Sequence, residues 1–267
     1  MSTSTLPSLY IPHGGGPCFF MDDPQGMWTR LGDYLRGLPA TLPARPKAIV
    51  LISGHWVTPG FTVTGAAQPE LIYDYYNFPP HTYELQYPAP GAPELAARIV
   101  GLLQAADLPA SIDARRGFDH GMFIPLKLVC PAADVPVVQL SLRADYDPAA
   151  HLRAGAALAA LRAEGVLILG SGMSFHNMRA YGDPRATEAA AAFDAALTAA
   201  VESAPEARRA ALRNWETLPA ARLSHPPRAE EHFMPLLVAA GAGGDAPAHR
   251  DFTDEIMNVA ISAFRFG

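Results

Sequence analysis

The chain has little cysteine, two residues in 267, at Cys18 and Cys130. Two distant thiols build no disulfide framework and show no metal-type spacing, so both are expected to be free in a reducing cytoplasm. Runs of Lys or Arg are also missing, and a formal charge of −6 argues against nucleic acid or an anionic membrane surface as the main partner. No apolar stretch reaches the ~18 residues of a membrane span, and the opening Met-Ser-Thr-Ser-Thr-Leu-Pro carries no basic segment followed by an apolar one. A cytoplasmic protein acting on a small molecule is the expectation. Repeats and convincing linkers are absent too, which favours a single domain over residues 1–267, with the oligomeric state left open. With 49% hydrophobic and 17% charged residues, such a chain can bury a substantial core.

What is present is an alternation of two patterns. Short apolar runs bounded by Gly and Pro, at residues 9–11, 48–53, 135–142 and 166–169, read as buried strands. Between them, residues 93–106 place Leu95, Ile99, Leu102 and Leu103 on one side of a helix, and residues 148–163 do the same with Leu152, Leu158 and Leu161. Residues 187–211 are Ala-rich and read as one or two helices, with Pro205 able to open the second. A Pro-rich loop over 217–228 then leads into a helix expected over 229–240, and residues 257–266 into a last strand. The fold class that follows is α/β, with a central, largely parallel or mixed sheet flanked by helices.

Nine histidines are placed unevenly on this framework. His13, His55 and His176 each follow an apolar run by a few residues, and open α/β sheets bind ligands beyond the carboxyl ends of their strands. A lone histidine usually has a hydrogen-bonded structural role, but three at equivalent positions suggest a metal site assembled by folding. The tract Gly14-Gly-Gly16 would let backbone approach a bound ion or substrate. His232 opens the expected 229–240 helix. Its neighbours Glu230 and Glu231 have the simpler role of complementing the helix dipole, and Glu231, pointing about 100° away on a helix, is not expected to share an ion with His232. His120, between Asp119 and Gly121, suits a substrate-contacting loop. His81 lies in an aromatic, Pro-rich stretch from Tyr73 to Tyr87 that could wall a pocket, and His151, His225 and His249 read as surface residues. Gly170-Ser-Gly-Met-Ser174 has neither the Gly-x-Ser-x-Gly order of a nucleophile elbow nor the ending of a phosphate loop, which disfavours a serine hydrolase built on Ser171 or Ser174.

Seven short motifs then stand in order along nearly the whole chain. They are Pro12-His-Gly-Gly-Gly-Pro17, Ser53-Gly-His-Trp56, Tyr87-Pro-Ala-Pro-Gly91, Gly117-Phe-Asp-His-Gly121, Val138-Gln-Leu-Ser141, Ser174-Phe-His-Asn177 and Glu231-His-Phe-Met-Pro-Leu236. Together they resemble the 4,5-DOPA-dioxygenase-like branch of the class III (LigB-type) extradiol ring-cleavage dioxygenases. The resemblance implies a non-haem metal, normally Fe(II), and cleavage of a DOPA-like or other substituted catechol by O2 beside its two hydroxyls. His13 and His55 match the family's two N-terminal metal ligands, and His232 stands where the branch carries histidine and other LigB-type enzymes a glutamate. His176 matches a histidine that is either the acid/base beside the metal or a further ligand, and His120 one that contacts substrate oxygen. The all-histidine set departs from the usual two-histidine, one-carboxylate triad and would also hold Zn(II). A zinc hydrolase using the same histidines and a non-catalytic binding protein of the same fold stay open as alternatives.

Overall fold

In the computed structural model, which describes residues 5–267, the apolar runs form strands because their side chains alternate between two covered faces. Residues 1–4, where the segment read for an export signal begins, lie outside the described residues. The strands are β1 (Ser8–Pro12), β2 (Ala48–Thr58), β3 (Phe61–Thr64), β4 (Ala110–Asp113), β5 (Val137–Arg143), β6 (Val166–Gly172), β7 (Ala248–Ile256) and β8 (Val259–Phe266). The helices are α1 (Thr29–Gly37), α2 (Pro93–Ala105), α3 (His120–Val129), α4 (Pro148–Leu158), α5 (Thr187–Glu202), α6 (Pro205–Arg213), α7 (Ala221–Ser224) and α8 (Met234–Gly243). Tyr10, Val50, Ile52, Val138 and Ile168 point into one core with α2, α4 and α8. Leu9, Ile11, Ile49, Leu51, Leu167 and Leu169 point into the other with α1 and α3. Burial on both faces is why these strands read as continuous apolar runs.

One mixed sheet runs β4-β3-β5-β2-β6-β1-β8-β7. Its four central strands, β5, β2, β6 and β1, are mutually parallel, so their carboxyl ends share one edge. The flanks are antiparallel where β3 meets β5 and where β8 meets β1 and β7.

Several expectations need correction. His55 is inside β2, which runs to Thr58 instead of ending at Ser53. The helix expected from residue 229 starts at Met234, leaving residues 229–233 as a turn. The loop over 217–228 contains α7. Strand β7 went unread because its Arg250, Asp254 and Glu255 break the apolar pattern of an edge strand. It joins β8 through Met257 and Asn258, both at positive φ (49° and 67°), the two-residue turn of a tight hairpin. His151 and His225 are fully buried, not on the surface. The His151 ring donates from Nδ1 to the Asp147 carbonyl and receives the Arg143 N–H, and that of His225 donates to the Ser174 carbonyl. Such internal partners let an imidazole serve as core.

Candidate active site

The shared carboxyl edge of the central strands carries the chemistry-bearing side chains. His13 directly follows β1 and its N–H donates to the Gly172 carbonyl at the end of β6, 3.1 Å away. The turn before α8 is pressed onto the same strand end. The His232 carbonyl accepts from the Met173 N–H (3.1 Å) and the buried Tyr10 hydroxyl (2.8 Å). A Cβ on Gly172 would overlap that carbonyl, so a glycine is what permits the approach. β6 thus sets His13 and His232 against each other.

Three imidazoles meet through one nitrogen each. His55 Nε2 lies 3.1 Å from His13 Nε2 and 3.1 Å from His232 Nε2. Their opposite nitrogens face oxygens. His13 Nδ1 is 3.0 Å from Ser171 Oγ, His232 Nδ1 is 3.2 Å from Glu231 Oε1, and His55 Nδ1 is 3.9 Å from Asp74 Oδ2.

The Ser171 contact settles a tautomer. Pro125 sits inside α3 and has no N–H to give the Gly121 carbonyl four residues earlier. That carbonyl instead receives the Ser171 hydroxyl proton. With its single proton spent there, Ser171 Oγ can only accept from His13, which places the imidazole proton on Nδ1 and the lone pair on Nε2. Glu231, an acceptor when ionised, does the same for His232.

Burial first, and the neighbouring imidazoles second, push His13, His55 and His232 below the ordinary histidine value. All three are neutral at pH 7. A proton on His55 Nε2 could serve only one of the two lone pairs that face it, so three nitrogens converge here with at most one proton among them, an arrangement that a cation would satisfy. Two nitrogens each about 2.0–2.2 Å from one ion stand roughly 3–3.5 Å apart, so the spacing fits a bound metal.

His120 and His176 flank this centre. The His120 backbone N–H and Nδ1 both reach Asp74 Oδ1, at 2.9 and 2.7 Å. Burial would raise the Asp74 carboxyl, but the His120 contacts and charge outweigh it and hold the group below its ordinary value. The His120 ring lies 3.9 Å from that of His55, centroid to centroid. His176 stacks on His232, with centroids 3.4 Å apart and planes 16° from parallel. Its Nδ1 is 3.5 Å from Glu231 Oε1. Burial raises Glu231 as well, and again the histidine contact outweighs it. The sequence had placed Glu231 away from His232 on a helix. In the observed turn the two side chains meet, but at the nitrogen that faces away from the centre.

The five histidines open onto one cavity of about 240 Å³, below the roughly 300–1,000 Å³ of drug-sized sites and suited to a single substituted ring. Trp28 and Phe78 wall it, their rings packed against Gly15 and Gly16. Phe78 belongs to the aromatic stretch expected to wall a pocket. His81, in the same stretch, is exposed and donates to the Phe20 carbonyl instead. Three groups were not read as site residues: Asp74, Glu231 and Ser171. A buried Asp119, held by Ser53 (2.7 Å), Gln139 and Arg116 (3.2 Å), anchors the loop before His120.

Similarity to known proteins points the same way. A family model described as the catalytic LigB subunit of aromatic ring-opening dioxygenase matches residues 9–263. Dioxygenase tasH of Hapsidospora irregularis is 43% identical over 98% of this chain and 85% of its own length. The 4,5-DOPA dioxygenase extradiol of Beta vulgaris is 41% identical over 89% of this chain and 87% of its own. That of Escherichia coli is 38% identical over 91% and 87%. Among solved structures, an uncharacterized protein from Escherichia coli K12 superposes with a TM-score of 0.78 at 32% identity, covering 98% of this chain and 100% of the other.

Proposed function

The chain belongs to the LigB family of aromatic ring-opening dioxygenases and is an extradiol dioxygenase; from that premise we propose that it opens the ring of a substituted catechol with O2, using Fe(II) held by His13, His55 and His232. The observation that carries the ligand assignment is that His55 Nε2 stands 3.1 Å from both His13 Nε2 and His232 Nε2 while Ser171 and Glu231 hold the Nδ1 protons of those two rings outward. Oxygen acceptors behind ligand histidines orient the rings and raise their basicity. Zn(II) would occupy the same nitrogens, so zinc in purified protein is compatible with iron as the working metal.

When bound, Fe(II) supplies Lewis acidity toward the catechol oxygens and the electrons that O2 chemistry requires. The remaining work falls to the chain. His120 has committed its Nδ1 proton to Asp74, which leaves Nε2 as the atom able to accept a catechol O–H. Ionised Asp74 stabilises the cation that forms. His176 is the residue that takes and returns the second proton, with Glu231 placed to steady its charged form. His176 stacks on His232 with ring centroids 3.4 Å apart and lies beside Glu231, so we assign it the acid/base role, which the metal content of the His176→Ala variant tests. The apolar walls exclude water from the reacting ring.

The test is anaerobic reconstitution with Fe(II), followed by an oxygen electrode and a panel of substituted catechols. One O2 consumed per catechol with a yellow ring-opened product is expected. Hydrolysis of esters or amides without oxygen uptake would refute the reading.

A further inference from the structure

The cavity's walls differ in kind from its floor. The floor is the histidine cluster, with the Gly14-Gly-Gly16 backbone beside it. The side chains that would meet a ring substituent are Trp28, Phe78, Met173, Met178, Tyr181 and Met257. Among the described residues none that lines the cavity is Lys, Arg, Asp, Glu, Asn, Gln, Ser or Thr. The Tyr181 hydroxyl is already donated to the Phe175 carbonyl, 2.7 Å away. Met178 and Met257 stand at the rim and are 69% and 41% exposed. Large apolar side chains left in water around a concave site mark a surface that something apolar covers.

Three arginines on the flanking segments are engaged elsewhere. Arg30 pairs with Asp254 at 2.5 Å, Arg116 with Asp119 at 3.2 Å while stacking on Trp56, and Arg222 with Glu230 at 2.6 Å. Arg179, next to Met178, is exposed and outside the lining. Behind the histidines the fixed charges are the carboxylates Asp74 and Glu231. A carboxylate on the substrate would lose water on entering and find no partner in the walls, whereas a branched alkyl group would bury its surface against methionine and aromatic rings.

We propose that this site takes catechols bearing an uncharged, apolar ring substituent and discriminates against carboxylate-bearing catechols. The inference rests on the catechol reading above. It sets this chain apart from relatives named for DOPA, whose side chain is an amino acid.

A matched pair of probes isolates the charge. 4-Isobutylcatechol and 3,4-dihydroxyphenylacetate differ in that a branched –CH(CH3)2 end replaces a –CO2− end of similar size. Calorimetric binding to Zn(II)-loaded protein reads affinity without turnover, and oxygen uptake by Fe(II)-loaded protein reads kcat/KM. The alkyl probe is expected to win by ~10-fold or more in both, the least that burying an unpaired carboxylate should cost in a partly open site. Met178→Arg, a change at an exposed rim position, should narrow or invert that ratio by supplying the missing cation. A wild-type preference for 3,4-dihydroxyphenylacetate, or equal affinity for the two, overturns the substrate class and leaves the ring-opening reading intact; Arg179 would then be the cation to test. If neither probe binds and no catechol consumes oxygen, the catechol reading fails and this inference fails with it.

Discussion

Ser171→Ala tests whether the metal site depends on a hydroxyl that touches no metal. The side chain is fully buried and spends its proton on the Gly121 carbonyl, which Pro125 has left without a helical donor. Its lone pair receives His13 Nδ1–H at 3.0 Å. Alanine fits the space, so the perturbation is the loss of one acceptor and one donor. Two buried groups would stand unpartnered, which should cost about 1–3 kcal/mol of stability. The larger consequence is at His13. Freed from its acceptor, the imidazole can carry its proton on Nε2, the atom that faces the centre, and a metal must then displace it. Loss of such an orienting partner typically weakens metal binding by ~10–100-fold. Competition with a chelator of known affinity measures this directly. Ser8→Ala is the control, since Ser8 is equally buried and donates to the Ala239 carbonyl at 2.7 Å, far from the histidines. Both variants should melt earlier, and only Ser171→Ala should bind metal more weakly. Wild-type metal affinity in Ser171→Ala would refute the tautomer argument.

Gly172→Ala should push His232 off the strand end, because the new Cβ would overlap its carbonyl; destabilisation by about 1–3 kcal/mol together with lost metal, read by unfolding and metal analysis, is expected. His176→Ala should keep its metal and lose turnover by ~100-fold, while His55→Ala loses both; equal metal loss in the two would make His176 a ligand. Asp74→Asn keeps an oxygen to orient His120 but not the charge that stabilises its protonated form, so it should lower kcat with little change in KM, whereas Asp74→Ala should lower kcat and also raise KM by ~10-fold, about the value of the lost hydrogen bond. For pH, burial lowers His151 to about 4 and His225 to about 3. In the unfolded chain both titrate near 6.5, so below that pH the unfolded state binds more protons. Their stability contribution is complete above about pH 6.5 and falls by about 1.4 kcal/mol per pH unit for each group as acid is added, until each folded value is reached. Denaturant unfolding between pH 7 and 4.5 should therefore show a slope that His225→Phe reduces; an unchanged slope would place that histidine's proton uptake elsewhere.

The central strands were legible because burial on both faces leaves an unbroken apolar run, and β1, β2, β5 and β6 each left one. Strand β7 had no such signature. It is an edge strand whose side chains are largely charged, and its pairing with β8 depends on a two-residue turn, Met257-Asn258, that lacks the usual glycine. The start of α8 was misplaced for a related reason. Residues 229–233 carry the acidic residues and apolar spacing of a first helical turn, but hydrogen bonds from Met173 and Tyr10 to the His232 carbonyl hold that stretch as a turn against β6.

That misplacement explains what was missed at the site. On a helix, Glu231 and His232 diverge, and a dipole role for the glutamate follows; in the turn both can bend to the same side, so Glu231 reaches His232 Nδ1 and lies beside His176. The histidines were visible individually because each sits in a short motif near a strand end. Their partners were not, since Ser171 is 158 residues from His13, and Asp74 is 46 from His120. Nothing local to a serine on a buried strand tells whether it will accept a proton from an imidazole. The deciding fact lies in a third segment, where Pro125 withholds an N–H from Gly121 and so consumes the serine's own proton. A ligand's identity can thus be read from its motif, whereas its tautomer, and with it the ability to bind a metal, is set by the fold.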